Sequence, residues 1–215
     1  MNRLNHLKKA TAVCFVAFGF TWLVPSGTVK AVNPPPDGGY PGQNTAEGEE
    51  ALFNLNPRAT DDTAVGWRTL FSTTTGRDNT AMGSAALNAN TTGSNNTATG
   101  SGSLIFNRTG RDNTATGFIA LNFNDSGSQN TAVGAGALEE NELGSRNTAV
   151  GFNSLQKNTT GSFNVALGAG AGSGVITADD VICIGRGVDG VNVNGTCFIG
   201  NIRGVTTQNA NAYQL

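Results

Sequence analysis

The side chains that could do chemistry are few. The 215 residues contain one histidine, His6, and three cysteines, Cys14, Cys183 and Cys197. Two acidic pairs, Glu139-Glu140 and Asp179-Asp180, are the remaining candidates for acid–base work or metal binding. Neither pair has supporting ligands nearby, and the calcium-binding Gly-Gly-x-Gly-x-Asp solenoid motif is missing, so both read as solvated loop charges. No Cys-x-x-Cys or zinc spacing occurs. The sequons at Asn90, Asn107, Asn124, Asn158 and Asn194 fall mostly on one recurring asparagine and read as by-products of a repeat.

His6 and Cys14 belong to a segment expected to be removed. Arg3, Lys8 and Lys9 precede a mostly apolar run from Ala10 to Val24, Pro25 ends it, and Val29-Lys30-Ala31 has the small-x-small form of a secretory cleavage site. Fifteen residues fall short of the roughly 20 that a spanning helix needs. Residues 1–31 therefore read as a cleaved signal peptide, and no membrane span is expected in the mature chain. Val13 before Cys14 argues against a lipoprotein. Cleavage also takes Lys30, so 9 of the 13 Lys+Arg remain against 15 Asp+Glu, a net charge of −6, with no histidine. A chain without imidazole has no Ser-His-Asp triad and no His-ligated zinc. The expectation is a non-enzyme without cofactor or metal. The acidic balance lacks the basic footprint of a nucleic-acid binder.

The elements that position the rest follow from a repeat. Asn-Thr-Ala-x-Gly begins at Asn44, Asn79, Asn96, Asn113, Asn130 and Asn147, with variants at Asp62 and Asn164; the spacings are 18 and then 17 throughout. Leucine keeps step at Leu52, Leu70, Leu87, Leu104, Leu121, Leu138 and Leu155. A second asparagine recurs at Asn90, Asn107, Asn124, Asn141 and Asn158, and a second glycine at Gly76, Gly93, Gly110, Gly127, Gly144 and Gly161. Seventeen residues with two glycines are too few and too broken for a helix pair. They suit one turn of a parallel β-solenoid, with two short strands, Asn-Thr-Ala-x-Gly and x-[Ala/Ser]-Leu-x-x, joined by corners where glycine and asparagine take positive φ. Successive turns stack about 4.8 Å apart, so eight turns make a rod of roughly 35–40 Å.

Stacking gives the columns roles. Asn79, Asn96, Asn113, Asn130, Asn147 and Asn164 form a candidate amide ladder, and the leucines a candidate apolar core. Replacing Asn113 by Ala is expected to cost roughly 1–3 kcal/mol, while Asn122, off the columns, is expected to be a bystander. Alternation places the threonines and the variable x on one face of the first strand and the alanines on the other, without deciding which face is inward. One leucine plus small residues per turn barely offsets the ordering entropy, and trimerisation along the rod would bury a further face. Residues 32–43 read as a Pro/Gly-rich linker, 44–180 as the repeat domain, and 181–215 as degenerate terminal turns and tail. Cys183 and Cys197 either form a disulfide clipping the end of the roll or sit as buried thiols at equivalent strand positions of adjacent turns.

Units such as Asn130-Thr-Ala-Val-Gly-Ala-Gly-Ala-Leu and Asn164-Val-Ala-Leu-Gly-Ala-Gly-Ala resemble the head repeats of trimeric autotransporter adhesins of the YadA type, over about residues 44–172. The resemblance implies a left-handed parallel β-roll, a homotrimer, display on a bacterial surface or secretion, and binding to host matrix or other surfaces. It also implies that the Thr and x positions point into the roll, from which Glu47 departs. A period of 17 is longer than the family's usual, and no stalk or barrel strands follow, so self-export is not expected. The tail segments Val181–Gly185 and Cys197–Thr207 resemble the region that precedes an intramolecular chaperone and autoprotease domain in bacterial fibre proteins, which makes a truncated fibre protein one alternative. The other is an ice-binding solenoid, suggested by the threonine column, although only Thr97-Ala-Thr99 and Thr114-Ala-Thr116 complete a Thr-x-Thr triplet.

Overall fold

The computed structural model describes residues 41–200. The signal segment, all but the last three residues of the linker, and the tail beyond Gly200 lie outside the described residues. The described residues form ten three-residue strands: β1 (Thr45–Glu47), β2 (Thr63–Val65), β3 (Thr80–Met82), β4 (Thr97–Thr99), β5 (Thr114–Thr116), β6 (Thr131–Val133), β7 (Thr148–Val150), β8 (Val165–Leu167), β9 (Ile182–Ile184) and β10 (Cys197–Ile199). All pair in parallel and in chain order, like residue against like residue: Thr97 with Thr114, Ala98 with Ala115, Thr99 with Thr116. This is a β-solenoid of about nine turns, with no helix among the described residues. Its long axis runs perpendicular to the strands.

Each turn contains one strand, not the two expected. The x-[Ala/Ser]-Leu-x-x segment is a coil of tight turns in which backbone N–H groups alternate in direction. Ala85 N–H donates to Trp67 of the preceding turn (2.8 Å), Ala86 closes a local turn onto Gly83 (3.2 Å), and Leu87 donates to Ser103 of the following turn (3.1 Å). Such alternation requires left-handed backbone at every second residue. The leucine column pays for it, with φ between 46° and 51° from Leu52 to Leu155. A left-handed residue with a Cβ costs roughly 1–2 kcal/mol, and complete burial of a leucine side chain contributes about 2 kcal/mol, so packing offsets the strain. All seven leucines are 0–1% exposed.

The alanine at each strand centre points inward and is fully buried from Ala64 to Ala166, while the residues on either side face out. The inward placement of Thr and x that the family resemblance implies is thereby corrected. The physical reason is the narrowness of the roll. The leucine column fills the space opposite the strand: a Cβ built on Gly172 would lie 2.8 Å from Leu155 Cδ2 and 3.5 Å from Ala166 Cβ. A methyl group fits beneath the strand; a valine or methionine does not. At the strand's end, Gly117 has φ 138°, and a Cβ there would stand 2.6 Å from the carbonyl carbon and oxygen of Gly134 in the next turn. Only glycine permits the turns to close to rung spacing at that corner.

Candidate functional site

The polar interior consists of two asparagine columns flanking one corner, all of them buried. In the column Asn79, Asn96, Asn113, Asn130, Asn147 and Asn164, each side-chain oxygen accepts the backbone N–H of the next turn: Asn96 to Asn79 at 3.1 Å, Asn130 to Asn113 at 2.9 Å, and finally Val181 to Asn164 at 2.8 Å. Each Nδ2 donates to a carbonyl fourteen residues on, as Asn113 does to Gly127 at 2.9 Å. In the first column direct amide-to-amide bonds join Asn96 to Asn79 at 3.1 Å and Asn113 to Asn96 at 3.2 Å, whereas in the second they continue through the later turns. Asn107, Asn124, Asn141 and Asn158 each donate Nδ2 to the asparagine one turn earlier at 2.7–2.9 Å, and also to the glycine carbonyl three residues ahead. Both amide hydrogens are thus used in every rung. The corner glycine is required here too, because a Cβ on Gly161 would meet Asn158 Oδ1 at 2.5 Å.

Asp62 occupies an asparagine position in the second turn. Its Oδ1 accepts from both N and Nδ2 of Asn79 at 2.9 Å, while Oδ2 is buried without a partner among the described residues. Burial pushes its carboxyl up to about 6, against the pull of the two Asn79 hydrogen bonds. Asn122, expected to be a bystander, is 6% exposed and donates Nδ2 to the Gly102 carbonyl at 2.8 Å, so it too is structural.

Among the described residues the two cysteines, Cys183 and Cys197, are free. Cys183 continues the inward alanine column and pairs with Phe198, whereas Cys197 pairs with Ile182 and faces out. The thiols therefore lie on opposite faces of the strands, which rules out both the disulfide geometry and equivalent buried positions. Burial raises the Cys183 thiol above its ordinary range, with a smaller contribution from Cys197.

The outward surface carries features that the repeat consensus hides. Trp67, Phe118 and Phe152, each one residue after a closing glycine, are exposed beside the strand face. Phe106 and Phe123, one turn apart, stack at 5.4 Å with Arg108 bonded to Asp125 at 2.7 Å. Their common offset within the 17-residue unit is the sequence signal that would have found them. Two shallow depressions lie on the flanks: one of about 350 Å³ beside Phe106, Phe123 and Leu143, the other of about 340 Å³ between Arg77, Ser94 and Arg111. Glu139 receives a hydrogen bond from Gln156 at 2.7 Å and Asp179 one from the Ser162 N–H at 2.7 Å, so each is tied to a neighbouring turn. Among the described residues no group of three or more His, Cys, Asp or Glu is placed to hold a metal ion.

Comparison with protein-family models, curated proteins and solved structures returns no match.

Proposed function

We propose that this protein is an exported, non-enzymatic structural rod, carried on a bacterial surface or released, that adheres to host matrix or other surfaces through its repetitive flanks. The supporting observation is the unbroken parallel ladder of ten strands, whose interior amides are taken up rung by rung in hydrogen bonds to neighbouring turns. Side chains committed in this way hold shape. What is left for binding is a long flank on which the same few side chains recur every turn, which suits contact with an extended surface. The basic, apolar and small-x-small order of residues 1–31 supports export. Cell fractionation with surface proteolysis tests the reading: the product belongs in the surface fraction or the medium, and retention in the cytoplasm overturns it.

One observation favours an ice-binding reading, the outward threonine column from Thr63 to Thr148 on the parallel sheet. Against it, Trp67, Phe118 and Phe152 rise beside that face and interrupt a plane that a lattice would have to match. Purified protein is expected to give no thermal hysteresis.

A further inference from the structure

Charge is distributed unevenly around the rod. Three outward columns make up the sheet face and its rim: the residues before and after each strand alanine, and the residue following the closing glycine. From Thr63 to Ala169 these columns contain no Asp, Glu, Lys or Arg, although charged residues occur on the other flanks of the same turns. The face is also apolar for its position, with Met82, Val133, Val150 and Leu167 each 38–46% exposed and Phe118 and Phe152 about 60% exposed. Only its ends are charged, and they are opposite: Glu47 and Glu49 in the turn of β1, Arg186 in the turn of β9.

We infer that this face is a self-association surface, on which a second copy of the chain docks with its rod antiparallel. A two-fold axis along the strand direction, passing through the turn of β5, lays each column against its own reverse. The rim column then matches in charge and in size. Glu49 meets Arg186, Trp67 meets Ala169, Ser84 meets Phe152, and Phe118 meets its own copy on the axis. In the strand column, Val65 faces Leu167 and Met82 faces Val150. A parallel homotrimer, which the family resemblance implies, sets Glu beside Glu, Arg beside Arg and Trp beside Trp at the same heights, and like charges brought together oppose docking. Nine turns at about 4.8 Å by the roughly 10 Å of a three-residue strand give about 430 Å² per copy, or about 860 Å² in all before the rim side chains are added, the range of weak pairs. The association is thus concentration-dependent, and it does not rest on the adhesive reading.

Sedimentation velocity of the purified protein over a range of concentrations tests the inference. A monomer–dimer equilibrium in the micromolar range is expected. Phe118→Asp places two carboxylates on the axis and should weaken the dimer at least about 30-fold. Arg186→Glu should weaken it about 5- to 10-fold, and the double variant Glu49→Arg/Arg186→Glu should restore it, because only the antiparallel pair brings those two positions together. Circular dichroism verifies that each variant keeps the parent fold, which these surface positions permit. A monomer at every concentration, a trimer, a dimer indifferent to Phe118→Asp, or no rescue by the charge swap would each overturn the inference.

Discussion

Between Asn79 and Asn164 the corners of the rod are lined with amides at every turn, whereas the first turns, beyond Asn44, put Leu55, Asp62 and Thr73 at the same depths and the last put Val175 and Val181 there. An interior asparagine needs a neighbour above and below, and the middle turns supply both. At the C-terminal end the column closes on the Val181 N–H, which gives Asn164 its donor and asks for nothing further. At the N-terminal end Asn44 accepts the Asp62 N–H and donates Nδ2 to the Ala59 carbonyl, and in the turn above it Asp62 offers Asn79 an acceptor but has no amide hydrogen for the Gly76 carbonyl, fourteen residues on, where the asparagines of later turns donate. The contrast teaches that the ladder is directional. Its ends differ because one needs a donor and the other an acceptor.

The largest test of that contrast sets two glycines against each other. Gly117→Ala puts a Cβ against the backbone of the next turn and should cost about 4 kcal/mol or more, or abolish folding. Gly187→Ala, in the last turns with nothing within 4 Å of the new Cβ and φ 66°, should cost only the left-handed strain, about 1 kcal/mol, read from thermal unfolding.

Asp62→Asn comes next. The folded carboxyl at about 6 lies above its ordinary value of 3.8, so the stability it contributes is fully present below pH 3.8 and is lost as pH rises through 6. The shift corresponds to about 3 kcal/mol. Asparagine supplies the missing donor, so the variant should gain up to that amount at pH 7, none below pH 4, and lose the pH dependence. Denaturant midpoints at pH 4 and pH 7 measure both.

Asn113→Ala leaves the buried Asn130 N–H without its acceptor and should cost about 1–3 kcal/mol. The smallest effect belongs to the exposed Lys157→Ala, within about 0.5 kcal/mol in the same melts. Equal losses at these two positions would mean that the columns do not carry the stability argued for them.

The solenoid was legible because one strict period survives substitution at every other position, and only stacking of equivalent residues makes a period of that kind useful. Three features were not legible. The leucine segment has the apolar content of a strand, but its backbone conformation depends on left-handed leucines that no propensity favours, and their strain is offset only by burial. The inward face could not be chosen, because Val65, Met82, Val133, Val150 and Leu167 on one side claim burial as strongly as the alanines on the other; the width of the roll decides. The partner of each amide also lay beyond the pattern. Two asparagine columns of equal regularity make different bonds, and Asn122, outside both, is fixed by a carbonyl twenty residues away.

Because the strands stack in chain order, Thr45 and Ile199 lie at opposite ends of the rod. Tension applied between the ends therefore loads the turns in series, all at the same force, and the outermost one, paired on one side only, peels first. Each turn released exchanges about 4.8 Å of rod for a slack of 17 residues, about 55 Å of extra reach. A rod held by its two ends would lengthen in steps, like thread drawn from a spool, and the remaining turns would keep their rungs intact while it did so.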